Sequence, residues 1–300
     1  MMRPDKKRLR RTMLFLNAQR ASLVKDAYVY KPDTVMFDLE DAVAEREKDS
    51  ARFSLYNTMK TVDYRGVERI VRINASDTPH FHEDIRVAVA SGIDGIRVPK
   101  CETAKDIHEA EQAIEKAEKE FGVEVGRTLM MGAIESPRGV INALEIAESS
   151  PRMFGIAIGA GDYLRTMHTT KSASGIELLG ARSQMVIAAR AAGIQCFDTV
   201  YMDVDNLEGF TEEVSLIKQL GFDGKSLISP KQIPIVHKIF APSEKEIQRA
   251  EKIIIQLEEN EKKGIGVFTV DGQMVDIAML EGAQRTIALA KASGVYKGEL

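Results

Sequence analysis

The chain has 300 residues, of which 44% are hydrophobic and 29% are charged, and its formal net charge is −4. This composition is typical of a globular protein with one large domain or two small ones, and the slight negative charge argues against general nucleic-acid binding. No apolar run reaches membrane-spanning length, and the two cysteines form neither a zinc spacing nor a disulfide framework. We therefore expect a cytoplasmic protein.

A cluster of basic residues precedes the first apolar run: Arg3, Lys6, Lys7, Arg8, Arg10 and Arg11. The simplest interpretation is a solvated tail. The functional alternative is that these residues bind the phosphates of a carrier such as coenzyme A, because guanidinium matches phosphate in charge and geometry. A signal peptide is not expected, since polar residues at 17, 19 and 20 interrupt the apolar stretch.

Eight short apolar or β-branched runs follow in order: Thr12–Leu16, Thr34–Leu39, Arg69–Ile73, Gly95–Val98, Leu129–Ile134, Phe154–Ile158, Cys196–Tyr201 and Lys225–Ile228. Most are separated by helical segments, of which the clearest is Thr103–Phe121 with its apolar residues on one face. Eight alternating strands and helices predict an α/β fold of the TIM (β/α)8 barrel type. A doubly wound open sheet is less well supported, because no Gly-x-Gly-x-x-Gly opens a strand-to-helix turn.

The fifth and sixth predicted strands are each followed by an acid, Glu135 and Asp162. Parallel strands joined by a right-handed crossover place their carboxyl ends side by side, so the two carboxylates can converge. Two hard oxygen donors suit a Mg²⁺ ion that keeps positions open for substrate and water. The alternative is that each acid only caps the helix that follows it.

Further charged residues follow the second and third strands. In Asp38-Leu39-Glu40-Asp41 three acids are too close for all to be buried and ionised cheaply. We expect Glu40 and Asp41 to contact the metal ligands or to hold water molecules, rather than to bind the metal directly. Arg72, in an alternating strand, is predicted to bind a substrate carboxylate, and a structural salt bridge across the barrel mouth is its alternative role.

The chain changes character after Pro242, so we predict a barrel with a basic arm over residues 1–242 and an appendage over 243–300. Ser243 and Glu246 form a capping-box pattern ahead of a long amphipathic helix, and Asp271-Gly272 indicates a β-hairpin. Asp276 leaves this hairpin just before another helical pattern. It either caps that helix or acts as an acid or base delivered to a barrel mouth.

Seven motifs in order resemble the citrate lyase beta subunits of the HpcH/HpaI aldolase and citrate lyase family. They are Phe37-Asp38-Leu39-Glu40-Asp41, Val71-Arg72-Ile73-Asn74, Arg97-Val98-Pro99-Lys100, Ala133-Ile134-Glu135-Ser136-Pro137, Gly159-Ala160-Gly161-Asp162-Tyr163, Gly221-Phe222-Asp223-Gly224-Lys225-Ser226 and Gly272-Gln273-Met274-Val275-Asp276. The resemblance extends from about residue 10 to the C-terminal helix.

This resemblance implies a TIM barrel with a C-terminal appendage, assembled as a homotrimer or hexamer. It implies that Glu135 and Asp162 bind Mg²⁺, that Glu135 and Arg72 contact substrate, and that Asp276 acts from the appendage, often on a neighbouring subunit's site. The implied reaction cleaves a citryl thioester, carried on an acyl carrier (gamma) subunit, to oxaloacetate and an acetyl thioester. A transferase (alpha) subunit would be the second partner.

Two other functions are compatible with the same residues. One is a stand-alone malyl-CoA or citramalyl-CoA lyase, and the other is a non-catalytic protein that binds a keto acid. Two departures from the family pattern bear on this choice. The first loop reads Phe15–Arg20 where Pro-Gly is common, which concerns the pantetheine path, and Gly161 replaces a usual acid, which concerns substrate preference.

Overall fold

The computed structural model describes Lys6 and residues 8–261, 267–277 and 279–300. The chain divides into two compact units, Met1–Val236 and His237–Leu300. Within the described ranges, no helix combines the length and the apolar character needed to cross a membrane.

The first unit is a closed barrel of eight parallel strands that pair in sequence order, as the alternation of strands and helices predicted. Its strands are almost entirely buried, because helices cover their outer faces and side chains fill the interior. The strands are β1 (Thr12–Asn17), β2 (Thr34–Asp38), β3 (Glu68–Arg72), β4 (Gly95–Val98), β5 (Leu129–Ile134), β6 (Met153–Ile158), β7 (Gln195–Asp198) and β8 (Gly224–Leu227).

Seven of the predicted strands match to within a residue at each end, but β7 ends three residues earlier than the predicted Tyr201. The side chain of its last residue, Asp198, is fully buried and pairs with Arg182 and Lys225 at 2.8 and 2.5 Å. The chain turns away from the sheet after this buried ion cluster. The apolar run continues into the loop because Val200 lines the cavity described below.

Helices of the amphipathic type cover the barrel. The best example is α4, which begins after a capping box formed by Thr103 and Asp106 and buries Ile107, Ala110 and Ile114. The α-helices of this unit are α1 (Ala21–Val24), α2 (Lys48–Thr61), α3 (Phe81–Ser91), α4 (Ala104–Glu120), α5 (Pro137–Ile141), α6 (Ala143–Glu148), α7 (Ala160–Thr166), α8 (Ile176–Ala191), α9 (Leu207–Leu220) and α10 (Ile233–Phe240), whose last residues belong to the second unit.

The barrel interior is filled by large apolar side chains, among them Met13, Met36, Met131, Phe154 and Phe197. Because the interior is packed, a ligand can bind only at an end of the barrel and not within it.

Part of the basic arm has a structural role at the amino-terminal ends of the strands. Arg10 is fully buried and pairs with Glu68 at 2.7 Å, and Arg11 pairs with Asp33 at 2.8 Å. Both acids stand at the start of a strand, at the end of the barrel opposite to a TIM-barrel active site. These two arginines therefore stabilise the barrel; Arg3 and Lys7 lie outside the described residues.

The second unit consists of α11 (Glu244–Glu261), an antiparallel hairpin of β9 (Val267–Val270) and β10 (Gln273–Asp276), and α12 (Met279–Ala292). The predicted capping box is present, since Ser243 and Glu246 exchange hydrogen bonds of 2.7 and 3.3 Å between side chain and backbone. Ile254, Val275 and Ile287 are among the residues that form a separate small core.

Candidate active site

A cavity of about 470 Å³ opens at the C-terminal ends of the barrel strands. Side chains and backbone from most of the strand ends line it, including Phe15, Asn17, Asp38, Asp41, Arg72, Arg97, Glu135, Gly159, Asp162, Thr199 and Ser226. A cleft at this face is the usual location of an active site in a TIM barrel.

The two acids after β5 and β6 both face this cavity. The strands pair in parallel with Ile134 opposite Ile158, and the amide of Gly159 donates to the carbonyl of Ile134 at 2.9 Å. Glu135 is the first residue after β5, and Asp162 lies in the first turn of α7. The structure thus brings the carboxylates to one edge of the sheet, where the strand-helix-strand pattern predicted them.

Glu135 is a buried carboxylate that has no partner among the residues the structure describes. Its exposure is only 7%, and no described side chain or backbone amide forms a hydrogen bond or ion pair with it. Burial raises the pKa of Glu135 to about 7, although Arg97 opposes this effect. An unpaired buried carboxylate is costly, and a bound cation would relieve that cost.

Asp162 is more accessible. Its side chain is 32% exposed and pairs with Arg165 at 3.2 Å along the same helix. No group of three or more His, Cys, Asp or Glu side chains suitable for a metal occurs among the described residues. Two carboxylate donors with open space beside them fit Mg²⁺, which retains several waters and is commonly held by one or two carboxylates together with its substrate.

Arg72 is fixed in place by three acids. Its Nε and Nη2 donate to the two oxygens of Asp38 at 2.7 and 2.6 Å, and its Nη1 lies 2.9 Å from Glu40 and 3.2 Å from Asp41. Although burial opposes the charge, the hydrogen bonds with Asp38 raise the pKa of Arg72 above its usual range. Arg72 therefore forms the salt bridge that was its alternative role, and it also lines the cavity.

Glu40 and Asp41 differ in their surroundings. Glu40 is buried between Arg72 and Lys100, the latter at 3.1 Å, whereas the Asp41 side chain is 66% exposed. Burial raises the pKa of Glu40, and neither of its oxygens receives an aligned hydrogen bond from any described residue. Lys48 fixes this loop by donating to the backbone carbonyl of Glu40 at 2.7 Å.

Arg97 was not predicted from the sequence as a site residue, and Asp38 was predicted only as one of three clustered acids. Asp38, Arg72 and Arg97 occupy paired positions on β2, β3 and β4, so they share one level of the barrel. Both guanidinium groups lie over the ring of Phe15, at 5.2 and 5.3 Å. The sequence does contain one indication of their position. Each is a charged residue between apolar residues at the C-terminal end of a short strand, and such a side chain must point either into the barrel or onto its helices.

The two departures from the family motifs have clear local settings. Asn17 donates its side-chain amide to the carbonyl of Ala42 at 2.5 Å, and Gln19 donates to Glu47 at 2.8 Å, so the first loop is tied to the loop after β2. A Cβ atom at Gly161 would meet nothing within 4 Å. The absence of an acidic side chain at position 161 therefore leaves open space there.

Asp276 belongs to the second unit. It is the last residue of β10, paired with Val267 of β9, and its side chain is half-buried. It is thus part of the hairpin and lies three residues before Met279, the first residue of α12.

A TIM barrel with two carboxylates and two arginines at its C-terminal mouth belongs to the class of enzymes that bind an anionic substrate beside a divalent cation. The profile of the HpcH/HpaI aldolase/citrate lyase family matches residues 11–230. The chain belongs to this family of carbon–carbon lyases.

Relatives match over nearly the whole chain. The chain is 52% identical to the citrate lyase subunit beta of Leuconostoc mesenteroides subsp. cremoris, with 98% of each chain covered. It is 33% identical to a (3S)-malyl-CoA thioesterase of Cereibacter sphaeroides, with 96% of each covered.

Solved structures of related proteins agree with the fold. CitE of Mycobacterium tuberculosis in complex with magnesium, acetoacetate and coenzyme A has a TM-score of 0.77 and 28% identity, covering 96% of this chain and 100% of that one. The M. tuberculosis citrate lyase beta subunit complexed with oxaloacetate and magnesium has a TM-score of 0.67 and 29% identity, covering 79% and 99%.

Proposed function

We propose that this chain is a Mg²⁺-dependent lyase that cleaves a citryl thioester to oxaloacetate and an acetyl thioester, as the beta subunit of a citrate lyase. The observation that carries the proposal is Glu135, which is buried and has no partner in the described ranges, beside Asp162 in a cavity whose wall also holds arginines. The high identity to a citrate lyase subunit beta supports the citryl group over other acyl groups.

Glu135 and Asp162 would hold the ion. When bound, Mg²⁺ lowers the pKa of the substrate hydroxyl and offsets the charge on the oxygen that becomes the keto group. Glu135 would also contact the substrate, because it lies deeper in the cavity wall than the more exposed Asp162.

Arg72 would bind the oxaloacetate portion of the substrate. Asp38 fixes its guanidinium through two hydrogen bonds, so the remaining Nη2 hydrogen has a set direction before the substrate arrives. A preoriented donor stabilises a developing charge without reorganisation. Glu40 and Asp41 would act by holding Arg72 from its other side rather than by binding the ion.

Asp276 would supply the proton that completes the reaction. The hydroxyl proton passes to water, the carbon–carbon bond breaks as the oxygen forms the keto group, and the electron pair of the broken bond passes to the α-carbon of the acetyl thioester as an enolate. Transfer of a proton from the carboxylic acid of Asp276 to that carbon gives the neutral acetyl thioester. We propose that Asp276 reaches the barrel mouth of a neighbouring subunit in a homotrimer or hexamer.

The partners would be the acyl carrier (gamma) and transferase (alpha) subunits of a citrate lyase complex. The relatives named citrate lyase subunit beta support membership of such a complex. The closest alternative is a stand-alone lyase for malyl-CoA or citramalyl-CoA, which the more distant malyl-CoA relatives favour.

The hairpin provides a matched test of the role of Asp276. Asp276→Asn should reduce turnover of citryl-CoA by at least about 100-fold, the usual contribution of general acid catalysis, and should leave Mg²⁺ and oxaloacetate binding unchanged. The control is Asp271→Asn at the turn of the same hairpin. Asp271 has a φ of 49°, which asparagine tolerates, and pairs only with the exposed Lys252 in the described residues.

Equal turnover by the two variants would contradict the assignment of Asp276. A loss of oxaloacetate binding in Asp276→Asn would indicate a structural role instead.

A further inference from the structure

Arg97 is a buried cation that the described residues leave without a partner. It lies in β4, is 3% exposed and lines the active-site cavity. Its Nε and Nη1 are buried without a hydrogen-bond acceptor, and no described carboxylate lies within ion-pair distance of it. Its neighbour Arg72, one strand away, is held by three carboxylates.

Other buried arginines of the barrel have carboxylate partners: Arg10 with Glu68, Arg152 with Glu118 and Arg182 with Asp198. An unpaired buried charge is costly, and a ligand that supplies the missing partner removes that cost. The position of Arg97 on the cavity wall shows where that ligand would lie.

The charge balance of the cavity points to an anion. Burial lowers the pKa of Arg97 to about 10, and Glu135 is the strongest influence in the opposite direction. If Glu135 coordinates Mg²⁺, its negative charge no longer compensates the positive charge of Arg97. The ring of Phe15, 5.3 Å from the guanidinium carbon, offers only a weak cation–π contact.

We propose that Arg97 binds the carboxylate of the citryl carboxymethyl arm that is not in the thioester, and that it thereby selects a citryl group over malyl and citramalyl groups. The inference rests on the proposed function. A malyl group has hydrogen in place of this arm and a citramalyl group has a methyl group, so neither has the second carboxylate. Arg72 takes the carboxylate end that all three substrates share.

The two arginines bind different carboxylates of the substrate. After cleavage, the arm becomes the distal carboxylate of oxaloacetate, whereas pyruvate, the keto acid from a citramalyl group, has only a methyl group there. Oxaloacetate and pyruvate are therefore a matched ligand pair for Arg97. A site built to pair with a charged group discriminates strongly against a ligand that lacks it, because its buried donors are then left unpaired.

The test is the binding of oxaloacetate and of pyruvate to the full chain with saturating Mg²⁺, measured by isothermal titration calorimetry. Arg97→Met should weaken oxaloacetate binding about 10- to 100-fold, the range expected for a charged hydrogen bond. Pyruvate binding should change less than about threefold, because a methionine side chain is compatible with its methyl group. Arg97→Lys should recover part of the oxaloacetate affinity.

The control is Arg127→Met. Arg127 is another buried arginine whose Nε and Nη2 lack a hydrogen bond in the described part of the chain, but it lies just before β5, at the end of the barrel opposite the cavity. There its Nη1 donates to the carbonyl of Ile93 and its Nη2 lies 3.7 Å from Asp94. This variant should bind both keto acids as the unmodified chain does. Circular dichroism of both variants establishes that each is folded.

The outcomes separate the two proposals. If Arg97→Met keeps the preference for oxaloacetate over pyruvate, or loses both ligands equally, the role of Arg97 is overturned while the proposed function stands. If the unmodified chain binds neither keto acid in the presence of Mg²⁺, the proposed function and this inference both fail.

Discussion

The position of Gly159 provides a way to move one proposed metal ligand without changing any charge. A Cβ atom at Gly159 would lie 2.6 Å from Cγ and 2.9 Å from Cδ and Oε1 of Glu135. Ordinary van der Waals contact begins at 3.4 Å, so the Glu135 side chain must move by about 0.8 Å in Gly159→Ala. The backbone φ at this residue is −104°, which alanine adopts without strain.

The consequences for stability and for metal binding should differ. The moving atoms belong to the end of a side chain that borders the cavity, so the free energy of unfolding should change by less than about 1 kcal/mol. Metal–ligand distances tolerate only about 0.2 Å, and loss of a residue that orients a metal ligand typically reduces metal affinity about 10- to 100-fold. We therefore expect a folded variant with a Mg²⁺ dissociation constant raised by that factor.

The assay is calorimetric titration of Mg²⁺, with the Mg²⁺ dependence of citryl-CoA cleavage as a second measurement. Gly161→Ala is the matched control, because a Cβ atom there meets nothing within 4 Å, and it should bind Mg²⁺ normally. Unchanged Mg²⁺ affinity in Gly159→Ala, or equal loss in both variants, would refute the placement of Glu135 in the metal site.

Two further predictions concern the frame around the site. Glu118→Gln removes the charge that pairs with the buried Arg152 at 2.8 Å and leaves Arg152 only its longer 3.4 Å ion pair with Glu111, so it should lower the free energy of unfolding by about 3 kcal/mol at pH 7. Although burial opposes it, the hydrogen bond with Arg152 holds the pKa of Glu118 below 4.5. This stability is present above pH 4.5 and is lost as the pH falls through the lowered pKa of Glu118. The urea unfolding curves of the variant and the parent should therefore converge on acidification. A difference that stays constant with pH would contradict the prediction. Lys48→Met removes the buried donor to the Glu40 carbonyl and the Asn74 side chain, so it should lower the free energy of unfolding by about 2–4 kcal/mol. Urea unfolding measures this change as well, and a change below about 0.5 kcal/mol would contradict the role of Lys48.

The barrel could be read from the sequence because each strand is a short apolar run bounded by polar residues. Where a strand ends on a buried charge the boundary was less clear, as in β7, whose Asp198 is held by Arg182 from α8. The edge on which Glu135 and Asp162 meet also followed from sequence, since parallel pairing puts successive strand ends together.

The pairing within the site could not be read in the same way. Asp38 holds Arg72, whereas Arg97 has no carboxylate partner in the described part of the chain. This difference depends on the register between neighbouring strands and on side-chain directions, which the sequence of one strand does not specify. Burial likewise decides the raised pKa of Glu135, and it arises from residues distant in sequence. The catalytic role of Asp276 stays a prediction.

The most direct test of the account is the release of oxaloacetate from citryl-CoA, a soluble form of the thioester, by the purified chain with Mg²⁺ and then with EDTA. The account predicts oxaloacetate in the presence of Mg²⁺, none with EDTA, and recovery when excess Mg²⁺ is added. Product formation that is insensitive to EDTA would contradict the metal site at Glu135 and Asp162. Turnover of malyl-CoA or citramalyl-CoA without any turnover of citryl-CoA would contradict the proposed substrate.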